Sequence, residues 1–214
     1  MTDSLILDID GTLWNTTDVV AEAWNKMIEE FYPQVSRVTG AMLKQQFGKT
    51  MKVIADNLFS VLTEEQRDDL IKLCCKGEQK ELVDCNKKLT YPHVIKTIKK
   101  LSSKIPLFIV SNCQSGYIEL MIKKNKIEKF ITDFECYGNT KLDKDENIKL
   151  LVKRNNLLHP AYVGDTQGDY AACKKAGVPF IWASYGFGKP EDEDYFAKID
   201  DFSELIRLIK LNQR

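Results

Sequence analysis

The sequence has only two histidines, His93 and His159, and its six cysteines (Cys74, Cys75, Cys85, Cys113, Cys136, Cys173) contain no C-x-x-C pair. Neither histidine stands at ligand spacing from a cysteine, which argues against a zinc site. His93 follows Pro92 and His159 precedes Pro160, so both belong to proline-marked turns, where a structural role is expected. No uncharged apolar run approaches the roughly 20 residues of a membrane-spanning helix. The chain reaches Asp8 after a very short apolar run, so no export leader is expected. A surplus of one charge is also missing, because 31 Lys+Arg balance 31 Asp+Glu. That balance gives no electrostatic reason for nucleic acid or an anionic membrane as partner. There is no internal repeat and no low-complexity tract. These absences leave a soluble globular protein with reduced thiols, and a cytoplasmic location is expected.

The 214 residues, 43% apolar and 29% charged, suffice for one sizeable core or for a core plus a small accessory domain. The chain is organised around Leu5-Ile6-Leu7-Asp8-Ile9-Asp10-Gly11-Thr12-Leu13. Read as a strand, its period of two puts Asp8 and Asp10 on one face at the carboxyl end. In an open parallel sheet that end faces the ligand crevice. Two carboxylates held together there repel unless a cation sits between them or one is protonated. Hard oxygen ligands of this kind suit Mg²⁺. For the D-x-D pattern alone, a charged strand end running into a loop remains the other reading.

Residues 15–86 read as helical throughout. Val19 to Tyr32 forms a first helix, capped by Thr16 or Thr17 and ended by Pro33. Helical stretches follow over Gly40–Phe47, Thr50–Leu62 and Thr63 to about Cys85, the last opening on the capping box Thr63-Glu64-Glu65-Gln66. The character changes at Tyr91-Pro92. Apolar strand candidates at Ile105–Val110, Phe130–Phe134, Ala161–Val163 and Val178–Trp182 then alternate with helices at Val94–Leu101, Tyr117–Lys126, Glu146–Asn155, Asp169–Lys175 and Phe202–Leu211. Such alternation predicts a parallel sheet covered on both faces. Gly186 to Asp194 reads as a surface loop.

Four strand ends carry polar groups in the same relative place. They are Asp8 and Asp10; Ser111 and Asn112; a loop with Lys141 and Lys144; and Gly164-Asp165-Thr166-Gln167-Gly168-Asp169. Each alone is ordinary. Together on one rim they offer carboxylates for a metal, a hydroxyl for an anion and a lysine to balance charge.

The D-x-D-G-T at Asp8–Thr12, the apolar strand closed by Ser111, a lysine before a helix and the G-D-x-x-x-D at Gly164–Asp169 resemble the four motifs of the haloacid-dehalogenase superfamily. The resemblance spans essentially the whole chain. It implies an α/β protein: a Rossmann-like three-layer α/β/α core with a parallel sheet (residues 1–14 and 87–214) and a small all-α cap (15–86) inserted after the first strand, as in phosphoglycolate phosphatases and phosphoglucomutases. It implies that Asp8 is the nucleophile that attacks phosphorus to give an aspartyl-phosphate, and that Asp10 is the general acid and base. Mg²⁺ would be held by Asp8, the Asp10 backbone carbonyl and Asp165, with Asp169 as a ligand or as support. Ser111, Asn112, Gly11, Thr12 and a lysine would bind the phosphate. Lys144 sits closest to the family's lysine position, with Lys141 as the alternative.

The dehalogenating members lack the second aspartate, so Asp10 implies a phosphate-handling member. The mutases carry a histidine ten residues after that aspartate, where this chain has Val20, and phosphonate-cleaving members need a cap lysine that only Lys26 offers. In the cap, Phe47-Gly48-Lys49-Thr50 resembles the specificity loop, with Gly48 allowing a tight turn and Lys49 reaching an anionic substrate; a plain helix-to-helix turn is the other reading. Trp14 is a candidate for packing on the substrate or at the hinge. The expected activity is Mg²⁺-dependent hydrolysis of a small phosphorylated metabolite. A β-phosphoglucomutase-like reaction and a non-catalytic phospho-metabolite sensor are the alternatives. A monomer is the default, with a dimer left open.

Overall fold

The computed structural model describes residues 2–211; Met1 and residues 212–214, which the sequence reading assigns to the core, lie outside the described residues. The described residues divide into two compact units, 2–15 with 89–211, and 16–88.

The first unit is built on six parallel strands: β1 (Ser4–Leu7), β2 (Leu107–Ser111), β3 (Asp133–Cys136), β4 (Pro160–Gly164), β5 (Phe180–Ala183) and β6 (Ala197–Ile199). Their order is β3-β2-β1-β4-β5-β6. The chain winds outward from β1 to β3, then crosses back to β4 on the other side of β1. The crevice beyond the carboxyl ends of β1 and β4 is therefore the switch point at which doubly wound sheets bind ligands.

Strand alternation accounts for the layers. Ile6, Phe108, Val110, Tyr162, Phe180 and Trp182 form one buried cluster with Ile148 and Leu151 of helix α8 (Lys144–Arg154) and Tyr170 and Cys173 of helix α9 (Gln167–Ala176). Their sheet neighbours Leu5, Leu7, Leu107, Ile109, Val163 and Ile181 are equally buried and point to the opposite face. Helices α5 (Val94–Leu101), α6 (Tyr117–Lys124) and α10 (Leu205–Leu211), with the short α7 (Tyr137–Thr140), complete the unit. Both faces are thus apolar, which explains why the strands read as continuous hydrophobic runs.

The second unit is all helix: α1 (Thr17–Phe31), α2 (Gly40–Lys44), α3 (Met51–Leu58) and α4 (Glu64–Asp84). Trp24 of α1 is buried and donates its indole N–H to the buried Glu78 carboxylate of α4 at 2.6 Å. Thr63 and Gln66 form the expected capping box, with Gln66 N donating to Thr63 Oγ1 at 3.3 Å and Thr63 N to Gln66 Oε1 at 3.1 Å. Thr16 stands at the α1 N-cap, but its side chain makes no capping bond, so that part of the expectation is corrected. Among the described residues no helix is long and apolar enough to cross a membrane.

Several boundaries differ from the sequence reading. The third strand lies at Asp133–Cys136 rather than Phe130–Phe134, because Glu128–Phe130 closes a 3₁₀ turn first. Lys144 does not precede α8 but is its first residue. The edge strand β6, with Ala197 paired to Ile181 and Ile199 to Ala183, was not anticipated.

Candidate active site

β1 ends at Leu7, and Asp8 continues its ladder by one bond, from its N–H to Val163 O at 2.9 Å. The backbone then folds into a tight turn in which Leu13 N donates to Ile9 O at 2.7 Å and Gly11 N to Trp14 O at 3.0 Å. Gly11 is required there twice over. Its φ is +83°, which a side-chain-bearing residue rarely adopts, and a Cβ would collide with the Asp165 carboxylate.

Asp8 is buried, and its carboxylate meets a buried lysine. Lys144 Nζ lies 3.0 Å from Asp8 Oδ1 and 2.5 Å from Asp169 Oδ1. A buried ammonium is stable only when paired, and here burial is outweighed by Asp169 and Asp8, which raise its pKa further. Lys141, by contrast, is exposed and bonds back to Gly138 O at 2.9 Å. Of the two lysines, Lys144 is the one brought to the aspartates.

The β4 end supplies the rest. Asp165 accepts from Thr12 Oγ1 at 3.2 Å and from Phe187 N at 2.6 Å. Asp169 sits in the first turn of α9 and forms a capping box with Thr166, accepting at Oδ2 from Thr166 Oγ1 at 2.6 Å and Thr166 N at 3.0 Å. Both Asp169 oxygens are thus engaged, one by the helix start and one by Lys144. Ligand oxygens of Asp8, Asp165 and Asp169 all lie within 4.8 Å of one another.

The electrostatics are those of an acidic cluster with one cation. Burial pushes the Asp8 carboxyl up to about 7; Lys144 opposes this, and Asp169 and Asp10 reinforce it. Burial, with Asp169 and Asp8, raises Asp165 well above the usual range. Asp169 resists burial because Lys144 and the Thr166 donors hold it below that range. Three buried carboxylates against one ammonium leave a deficit of positive charge, and the donors are hard oxygens. That set fits Mg²⁺.

Ser111 and Asn112 close β2 beside β1, Ser111 buried and Asn112 half-buried. Gly11 and Thr12 are placed differently from an anion contact: their N–H groups bond to Trp14 O and Ile9 O, and the Thr12 hydroxyl holds Asp165. Trp14 is fully buried and donates to Asp10 Oδ1 at 3.1 Å. In the helical unit, Gly48 takes a φ of +91° and Lys49 is exposed, with Nζ 3.0 Å from Gln46 Oε1.

Two tyrosines escaped the sequence reading. Tyr162 of β4 donates to Val110 O at 2.8 Å and lies 3.4 Å from Asp8 Oδ1 and 3.5 Å from Asp169 Oδ1. Tyr117, at the start of α6, donates to Asp10 Oδ1 at 2.8 Å. Tyr162 had a readable signal, a phenol inside a buried strand two residues before Gly164-Asp165. Tyr117 had none.

Residues 5–183 match the family described as haloacid dehalogenase-like hydrolase. The chain is 25% identical over 230 residues to a phosphoglycolate phosphatase of Vibrio parahaemolyticus serotype O3:K6 (strain RIMD 2210633), covering 97% of this chain and 96% of that one. Its fold is similar to that of a protein from Haemophilus somnus 129pt described as a predicted phosphoglycolate phosphatase, with a TM-score of 0.84 at 19% identity over 97% of this chain and 98% of that one. It is also similar to a haloacid dehalogenase-like hydrolase from Streptococcus pneumoniae, with a TM-score of 0.80 at 18% identity over 97% and 98%.

Proposed function

Because the chain belongs to the haloacid dehalogenase-like hydrolase family, we propose that it is a phosphatase that hydrolyses a small phosphate monoester through an aspartyl-phosphate on Asp8. The observation that carries this reading is the buried Asp8–Lys144–Asp169 bridge, with Asp165 within metal-holding distance, at the switch point of the sheet. The likeness to the Vibrio phosphoglycolate phosphatase supports the same reaction class.

In the first step an Asp8 carboxylate oxygen bonds to phosphorus while the ester P–O bond breaks and Asp10 gives its proton to the departing oxygen. In the second step Asp10 takes a proton from water as that water attacks phosphorus and releases Asp8. Lys144 neutralises the Asp8 and Asp169 charges next to an anionic substrate, and Ser111 and Asn112 hold the phosphoryl oxygens. Asp8, the Asp10 carbonyl and Asp165 would hold Mg²⁺, with Asp169 supporting through Lys144. When bound, the metal supplies the charge that lets an anionic nucleophile approach an anionic phosphate. Gly11 and Thr12 act through Asp165. The helical unit serves as a cap that selects the substrate, with Gly48 and Lys49 as its contact loop.

The test is phosphate release from a panel of small phosphate esters with Mg²⁺ and with EDTA, for the wild type and Asp8→Asn. Metal-dependent release that Asp8→Asn abolishes, in a protein that still folds, is the expected result. Near-normal release by Asp8→Asn would remove Asp8 as nucleophile.

A further inference from the structure

We propose that Trp14 and Tyr117 are positioning residues that clamp one oxygen of the Asp10 carboxylate and so assign proton transfer to the other. The proposal rests on the phosphatase reading above and specifies how its acid–base group is held.

Oδ1 of Asp10 accepts two hydrogen bonds, from Trp14 Nε1 at 3.1 Å and from the Tyr117 hydroxyl at 2.8 Å. Both donors are out of solvent, Trp14 at 0% and Tyr117 at 2% exposure. Their rings pack edge to face with centroids 5.5 Å apart. Each is anchored by backbone of its own. Trp14 is pinned in the turn by its N–H to Ile9 O at 3.2 Å and by bridges to Asp10 and Thr90. Tyr117 opens α6 directly after Gly116, whose φ of +86° swings the chain into that helix. Two separate segments thus converge on a single carboxylate oxygen.

Placing a proton on Oδ1 would displace one of these donors and strand it in a buried site, which is costly. Both bonds survive only if the exchanged proton rides on Oδ2. In the first step that proton leaves Oδ2 for the ester oxygen as the P–O bond breaks and the bond from Asp8 forms, so the alcohol departs neutral. In the second step Oδ2 receives a proton from the attacking water as the Asp8–phosphorus bond breaks. The clamp keeps the carboxylate in one rotamer through both transfers, which is where orientation contributes to rate.

The test compares kcat/KM for two esters, a phosphate of a short aliphatic alcohol and 4-nitrophenyl phosphate, with Mg²⁺ present. This parameter covers events only through departure of the leaving group. An alkoxide needs a proton to leave and a nitrophenolate does not, so misplacing the general acid harms the first ester selectively. Tyr117→Phe removes the hydroxyl and keeps the ring against Trp14. It is expected to lower the alkyl-to-aryl ratio of kcat/KM by roughly 10-fold, a fraction of the 10²–10⁴ that general acid–base catalysis contributes in full. Trp14→Phe should move the ratio the same way; if it fails to fold, Tyr117→Phe decides alone. An unchanged ratio in a folded Tyr117→Phe protein overturns the clamp while the phosphatase reading stands. A wild type that turns over neither ester overturns both.

Discussion

A lysine ammonium with almost no solvent around it is held only by what it touches, and Lys144 touches Asp8 and Asp169. Replacing it with Met leaves two buried carboxylates facing each other, and removing one partner of a buried pair costs about 3–5 kcal/mol. Urea unfolding in EDTA should show a loss of about that size for Lys144→Met, together with loss of turnover; a change under about 1 kcal/mol would mean that the bridge does not hold the rim together. Proton linkage gives a second expectation. The Asp8 carboxyl stands at about 7 against an ordinary 3.8, so between those values the folded protein binds more protons than the unfolded chain. Its contribution to stability is therefore present below about 3.8 and lost as pH rises through about 7, and the raised Asp165 adds in the same sense. A bound cation replaces those protons. Mg²⁺ should accordingly raise the melting temperature more near pH 8 than near pH 5.5, and Asp165→Asn should flatten the difference. Equal shifts at both pH values would contradict the assignment of the metal to these carboxylates.

The elements differ in how plainly they are written. β1, β2 and β4 were legible because strands buried on both faces have nearly continuous apolar sequences, and because each ends in the polar groups that the site needs. The capping box at Thr63 was legible because it is local, needing only four consecutive residues. β3 was placed three residues early and β6 was missed: Asp133-Phe134-Glu135-Cys136 and Ala197-Lys198-Ile199 lie at the two edges of the sheet, where one side is unpaired and the apolar signal is diluted by charge. Edge position also explains the pairing of Asp133 and Glu135 with Arg154 at 2.8 and 3.0 Å, contacts that tertiary structure alone creates. The site followed the same division. Asp8, Asp10 and Asp165 were proposed from the resemblance to the family's motifs, which left Lys144 and Lys141 as alternatives until the fold brought Lys144 to Asp8 and Asp169, whereas Tyr117 comes from another segment and only the fold brings it to Asp10. At this scale the helical unit makes a clean prediction. Thr63→Ala removes one capping bond of α4 and should cost about 1 kcal/mol in unfolding while kcat with Mg²⁺ stays unchanged. A large loss of turnover would couple that helix start to the chemistry.

For the whole molecule the decisive feature is where the chain leaves and re-enters the sheet unit. Asn15 N donates to Leu89 O at 2.9 Å and Tyr91 N to Leu13 O at 3.1 Å, so exit and return run side by side. The helical residues between them close on their own core around Trp24, Ile28, Phe59 and Leu70, each fully or almost fully buried. A unit inserted through two adjacent chain segments can be removed without opening the sheet, because a short linker spans the gap at little entropic cost. Joining Asn15 to Leu89 through a few Gly and Ser residues should therefore leave a folded α/β protein that still binds Mg²⁺. Every group assigned to phosphoryl transfer lies in the part retained, so slow release from 4-nitrophenyl phosphate should persist. What should vanish, if the helical unit has the selecting role proposed for it, is the ranking among natural-type esters, since Lys49 is gone. Lys49→Ala in the intact chain tests the same division more gently, shifting the ester ranking while leaving the Mg²⁺ requirement in place. If the excised protein instead keeps the full ranking, selection resides in the sheet unit, and the helical unit needs another role.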